Sequence, residues 1–141
     1  MKKEITGSEQ TRVAIACDQD IVEARQQGRA MVLTLGFSPG AATLVATAIS
    51  ELARNILLYA EHGEILLQPV ENSSGPGLVV IARDQGPGIP DVRQALEDGY
   101  STSGRLGLGL PGVRRLMDEL EILSQNGDGT IIRAVKWKLQ A

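Results

Sequence analysis

Aromatic residues make up only 3% of this 141-residue chain. A core must therefore be assembled from Val, Ile, Leu and Ala, and the 43% hydrophobic fraction is enough for one domain and excludes wholesale disorder. Cys17 is the single cysteine, so no internal disulfide can form; with His62 as the single histidine, no Cys/His cluster can hold zinc. Neither sign of charge is in large excess. The formal net charge of -3 leaves no electrostatic footprint for a nucleic-acid partner. Apolar runs such as Gly40 to Ile49 fall well short of a membrane span. The start MKKEITGSEQ has two lysines with no apolar run behind them, which excludes a signal peptide. These absences predict a cytoplasmic protein of a reducing compartment, with no nucleic acid and no membrane among its partners.

What is present reads as a single domain without internal repeats. Residues 1–9 form a loose, flexible polar leader, and 10–141 form the domain. TRVAIA, from Thr11 to Ala16, predicts a first strand. Asp18 or Asp20 then caps a helix running to about Leu35, with Ile21, Val22, Ala24, Met31 and Leu35 on its apolar side. Ser38 followed by Pro39 starts a second helix, because proline at the first helical position gives up an amide that is unpaired anyway. That helix runs to about Ala60 and stops before Gly63. Strands Glu64–Val70 and Leu78–Arg83 follow, joined by the turn-rich NSSGPG. A weak helix, Val92–Leu96, leads to the glycine-rich GYSTSGRLGLGLPG, then to a helix over Val113–Leu120. Glu121–Ser124, the turn NGDG and a strand over Thr130–Leu139 finish the chain. This order predicts a two-layer α/β (α+β) sandwich: one mixed sheet with helices on one face.

Three features carry chemistry. On the second helix, Val45, Ile49, Leu52 and Ile56 fall within about 60° of one another, which defines the buried stripe. Glu51 and Asn55 share a face roughly 100° round from it, at the edge of the core, where a helix lines either a pocket or solvent. Next, Asp84-Gln85-Gly86-Pro87-Gly88 directly follows the strand LVVIAR. A carboxylate at a strand end, before glycines that let a ligand approach the backbone, suits recognition of an exocyclic amine such as that of adenine. A plain tight turn has similar composition. Last, Gly104-Arg105-Leu106-Gly107-Leu108-Gly109-Leu110 opens a helix, where exposed amides and the dipole favour phosphate oxygens. Two look-alikes fail. Gly107-x-Gly109-x-x-Gly112 lacks the preceding strand of a dinucleotide fingerprint, and Gly99 to Gly104 is followed by Arg105 and Leu106 in place of the P-loop Lys and Ser/Thr.

In order and spacing, ExxxN on a helix, DxGxG after a strand and GLGL before a helix resemble the GHKL (Bergerat-fold) ATPase superfamily. The likeness extends from about Val13 to Leu139. Within that superfamily, the small size and the run GLGLPGVRRLMDELEI look most like the switch serine/threonine kinases of bacterial stress-response (stressosome) modules, relatives of the anti-sigma-factor kinases. The resemblance implies a role for each matching residue. Asn55 coordinates Mg²⁺ bridging the phosphates of ATP, and Glu51 is the general base for the attacking hydroxyl. Asp84 reads the adenine amine, with Gly86 and Gly88 shaping the base pocket. Gly107, Leu108, Gly109 and Leu110 cradle the phosphates under a lid from about Asp91 to Leu106. Thr130 resembles the threonine that backs the adenine-binding aspartate. Arg105 is either a cation near the γ-phosphate or a solvated loop arginine.

The implied activity is phosphorylation of a regulatory protein on Ser or Thr within a partner-switching module, which can include a scaffold assembly and a downstream effector. An anti-sigma-factor kinase and a nucleotide-gated binding module without useful catalysis are the alternatives. Retention of both Glu51 and Asn55 argues against the second, since a pure binder has no need of the base. A phosphoacceptor histidine belongs on a helical hairpin, whereas His62 lies in the loop EHG, so it reads as a plain loop residue.

Overall fold

The computed structural model describes residues 10–86, 110–124 and 129–138. The predicted helix at Val92–Leu96 and the leader lie outside them. The first strand, β1 (Thr11–Ile15), turns its apolar residues Val13 and Ile15 inward. Helix α1 (Asp18–Thr34) follows. Its N-cap is Cys17 rather than an aspartate, and Asp20 serves from inside the first turn: its carboxylate accepts from Ala16 N at 2.8 Å and Cys17 N at 3.2 Å. The buried side of α1 is Ile21, Ala24, Gly28 and Val32, whereas Val22, expected inside, is 40% exposed. The i, i+3, i+7, i+11 series selects that stripe, and Val22 lies about 100° off it.

Helix α2 (Pro39–Ala60) starts as its sequence predicts, with Ser38 Oγ accepting from Ala41 N at 3.1 Å and Pro39 in the first turn. It buries Val45, Ile49, Leu52 and Ile56 together with Ala42, Ala48 and Ala53. By length and composition it could cross a membrane, but 56% of its apolar window is buried inside the protein. Its apolarity is that of a core helix. The helix ends at Ala60 and stops before Gly63, as its sequence predicts, with Glu61 as its C-cap at φ 71°.

Strands β2 (Gly63–Asn72) and β3 (Gly75–Asp84) form a hairpin longer at both ends than predicted. Asn72 Oδ1 closes the turn by accepting from Ser74 N and Gly75 N. Helix α3 spans Leu110–Leu116, not Val113–Leu120, and β4 begins at Glu119. The alternation Glu119, Leu120, Glu121, Ile122 has the period of a strand and takes these residues from the helix. Pro111 and Gly112 are tolerated earlier because they fall in the first turn. Lys136 Nζ caps α3 by donating to the Leu116 carbonyl at 3.0 Å. The last strand, β5, covers Thr130–Trp137.

The sheet order is β1-β2-β3-β5-β4, and every pairing among the described residues is antiparallel. The expected mixed sheet is corrected here. One helix between neighbouring strands gives a parallel crossover, but α1 and α2 run down and back, so β2 returns antiparallel to β1. Apolar residues of one sheet face, including Ile65, Leu67, Leu78, Val80, Ile132 and Ala134, pack with α1, α2 and α3 into a single core. The fold is thus a two-layer α/β sandwich, with its helices on one face of the sheet.

Candidate active site

This topology brings the end of β1, the C-terminus of α2, the end of β3 and the start of β5 to one edge of the sandwich. Asp84 is the last residue of β3. Its register partners are Gly63 on β2 and Thr130 on β5, so Asp84 and Thr130, far apart in sequence, are cross-strand neighbours. Both continue the alternation that points Ala82 and Ile132 toward the helices. Thr130 is buried and Asp84 half-buried. Asp84 Oδ1 accepts from Gly86 N at 2.8 Å, which folds the chain tightly after the strand and orients the carboxylate.

Three glycines crowd this aspartate. A Cβ on Gly63 would lie 2.3 Å from the Arg83 carbonyl oxygen, 2.9 Å from Ile56 Cγ2 and 3.1 Å from Asp84 Cβ. One on Gly86 would lie 2.6 Å from Ala60 Cβ and 3.0 Å from the Tyr59 carbonyl oxygen, at the end of α2. Gly129 adopts φ +94°, and a Cβ there would meet the Asp84 carbonyl oxygen at 2.3 Å. Only glycine lets β2, α2 and β5 close on the Asp84 backbone together. The DxGxG spacing points to Gly86, whereas in the sequence Gly63 merely follows a helix and Gly129 belongs to the turn NGDG. A glycine opposite a strand-end aspartate reveals its purpose only once the register is known.

On α2, Glu51 is buried, at 3% exposure, and Asn55 is half-buried one turn on. An exposed polar flank, the other reading of this pair, does not describe Glu51. Asn55 directly precedes Ile56, whose Cγ2 lies beside Gly63 and hence beside the Asp84 backbone. Helix α2, which carries the ExxxN pair, thus packs through Ile56 against the strand end that carries Asp84. Arg54, between the pair, has a buried Nε with no hydrogen-bond partner. Leu110 opens α3 and is buried in the core. Gly88, Arg105, Gly107, Leu108, Gly109 and the expected lid lie outside the described residues.

No group of three or more His, Cys, Asp or Glu side chains among the described residues could hold a metal ion. The donor set still fits Mg²⁺ in the way that phosphate-transfer sites use it, with one or two hard oxygen ligands from the protein and the rest from phosphates and water. Asn55 offers such an oxygen.

The opposite sheet face carries a second cluster that sequence reasoning missed. Together with Gly63 and Asp84 at the sheet edge, Arg12, His62, Glu64, Arg83, Gln85 and Ile131 line an open hollow of about 430 Å³. Glu64 accepts from both Arg12 and Arg83. Burial alone would raise the Glu64 pKa, but the two guanidinium hydrogen bonds and their charges outweigh it and hold the carboxyl below its ordinary 4.5. The cluster's signal is the period-2 placement of Arg12, Glu64 and Arg83, readable only after pairing.

Comparison with known proteins shows the family. Residues 16–136 match the histidine kinase-like ATPase domain. The chain is 54% identical over 130 residues to the serine/threonine-protein kinase RsbT of Bacillus subtilis (strain 168), covering 92% of this chain and 98% of that protein. It is 30% identical over 97 residues to the anti-sigma F factor of Thermoanaerobacter sp. (strain X514), covering 66% and 68% of the two chains. Against the anti-sigma F factor of Pasteuria penetrans it is 28% identical over 133 residues, covering 89% and 87%.

Proposed function

The chain belongs to the histidine kinase-like ATPase family, and from that premise we propose that it is a serine/threonine-protein kinase that phosphorylates a regulatory partner protein. The carrying observation is the cross-strand pair Asp84–Thr130, closed in by Gly63, Gly86 and Gly129 against the C-terminal end of α2, the helix that carries Glu51 and Asn55. The 54% identity to a serine/threonine-protein kinase supports the same reading.

In this reading Asp84 accepts a hydrogen bond from the adenine amine of ATP, and buried Thr130 backs it across the β3–β5 pairing. Gly86 and Gly88 let the base approach the backbone. Gly107, Leu108, Gly109 and Leu110, the run that leads in sequence into α3, hold the phosphates by their amides. The Asn55 amide oxygen would hold Mg²⁺, which would supply charge neutralisation at the phosphates. Glu51 takes the proton of the acceptor hydroxyl. As that oxygen bonds to the γ-phosphorus, the bond from phosphorus to the β,γ-bridging oxygen breaks and ADP leaves.

The partner-switching setting extends this reading: a cytoplasmic kinase whose substrate is a Ser- or Thr-bearing regulator, held in a scaffold such as a stressosome, with an effector downstream. The anti-sigma F factor relatives motivate a second reading, in which the chain also sequesters a sigma factor. The test is incubation with Mg-ATP and candidate regulators, followed by mass-spectrometric mapping. Phosphate on a partner Ser or Thr is the expected result; ATP turnover without any partner phosphorylation would contradict it.

A further inference from the structure

Within the reading above, Glu51 and Asn55 take the chemistry of α2, and the residue between them is left without a role. Arg54 is half-buried, and its Nε is wholly shielded from solvent without a hydrogen-bond partner. The ion pairs among the described residues do not include it. A guanidinium is always charged and carries five N–H donors. Shielding one of them without an acceptor is unfavourable, and such a group persists where an anion meets it.

Helical geometry says which anion. Measured from the centre of the buried stripe, Asn55, Glu51 and Arg54 follow one another round α2 at about 100°, 140° and 200°. Arg54 lies three residues beyond Glu51, about 60° round and about 4.5 Å along the axis, within the reach of a long side chain. Its neighbours one turn on, Leu57 and Leu58, carry no charge, and the Ser50 hydroxyl one turn back donates to the Ala46 carbonyl at 3.0 Å. With Asn55 on the phosphate side and Glu51 at the attacking hydroxyl, Arg54 falls on the acceptor side of the base. We propose that Arg54 is a further catalytic residue, whose guanidinium pairs with the equatorial oxygens of the phosphoryl group during transfer. The charge there is greatest in the transition state, so the pairing favours transfer over ground-state nucleotide binding. Being on a core helix, the cation is held in place without a loop having to close.

The test compares wild type with Arg54→Ala and Arg54→Lys. Calorimetry with Mg²⁺ gives the affinity for ADP alone and for ADP with aluminium fluoride, which imitates the phosphoryl group in flight. Wild type is expected to bind the fluoride complex more tightly than ADP. Arg54→Ala should bind ADP within about twofold of wild type yet lose tenfold or more of that tightening. Arg54→Lys should keep part of it, and added guanidinium should restore part in Arg54→Ala. Equal tightening in Arg54→Ala and wild type would overturn the proposal, as would a parallel loss of affinity for both ligands or no tightening in wild type. Failure of wild type to bind ADP at all is a separate result, which overturns the nucleotide reading of the whole site.

Discussion

Replacing Gly63 by alanine places a methyl group where three neighbours already stand. The nearest, the Arg83 carbonyl oxygen, would be 2.3 Å from the new carbon, and it belongs to the backbone of a central strand. An ordinary carbon–oxygen contact is about 3.3 Å, so β2 and β3 must separate locally by about 1 Å. Overpacking of this kind costs about 1–3 kcal/mol. At roughly 3 °C per kcal/mol for a chain of this length, Tm should fall by about 3–9 °C. The same displacement acts on Asp84, whose Cβ is 3.1 Å from the new methyl position. A carboxylate moved by such a distance loses its charge-assisted hydrogen bond to adenine, costing about 1.5–3 kcal/mol, or about ten- to a hundredfold in ATP affinity. Thermal melts by circular dichroism and ATP titrations by calorimetry measure both effects. Gly40→Ala is the control: its nearest outside atom, Ser38 Oγ, is 4.0 Å away, so Tm should hold or rise slightly. Wild-type Tm in Gly63→Ala would refute the close packing, and a lowered Tm with unchanged ATP affinity would refute the link from Gly63 to base recognition.

Asp84→Asn keeps the side-chain shape but mispairs the adenine amine, and ATP affinity measured by calorimetry should fall about ten- to a hundredfold while Tm changes little. Glu64→Gln should cost about 1 kcal/mol or less at neutral pH, because Arg12 and Arg83 are 62% and 47% exposed. The Glu64 pKa is depressed on folding, so its contribution is full above 4.5 and fades as pH falls below that value. Urea melts should therefore show the two proteins converging in acid, and a gap that widens there would contradict the ion-pair account. Ser38→Ala removes the cap on Ala41 N and should cost about 1 kcal/mol in the same melts.

Much of this architecture was legible in the sequence because local chemistry and tertiary context agree. Ser38-Pro39 announces α2 by capping alone, and Val45, Ile49, Leu52 and Ile56 give its buried face before any partner is known. The ExxxN, DxGxG and GLGL spacing carried the family. What was not legible depends on pairing. The antiparallel β1–β2 register follows from two helices folding back on each other, which no strand pattern announces. Glu119 and Leu120 suit a helix taken alone and become strand residues because β5 pairs with them. Gly63 and Gly129 look like punctuation until β2 and β5 flank Asp84. Arg54 reads as an ordinary helix-forming residue between two better-known positions, and only the burial of its Nε sets it apart.

Phosphoryl transfer to a partner is the central claim, and Glu51→Ala tests it most directly. Wild type and variant are compared in single-turnover reactions with Mg-ATP and the regulatory partner, and nucleotide affinity is measured on the same samples. The account predicts an acid-stable phosphate on a partner serine or threonine in wild type. It also predicts a transfer rate lowered about 10²–10⁴-fold in Glu51→Ala, with ATP affinity largely kept. Transfer at the wild-type rate in that variant would move the base elsewhere, and an acid-labile label abolished by His62→Ala would overturn the serine/threonine reading itself.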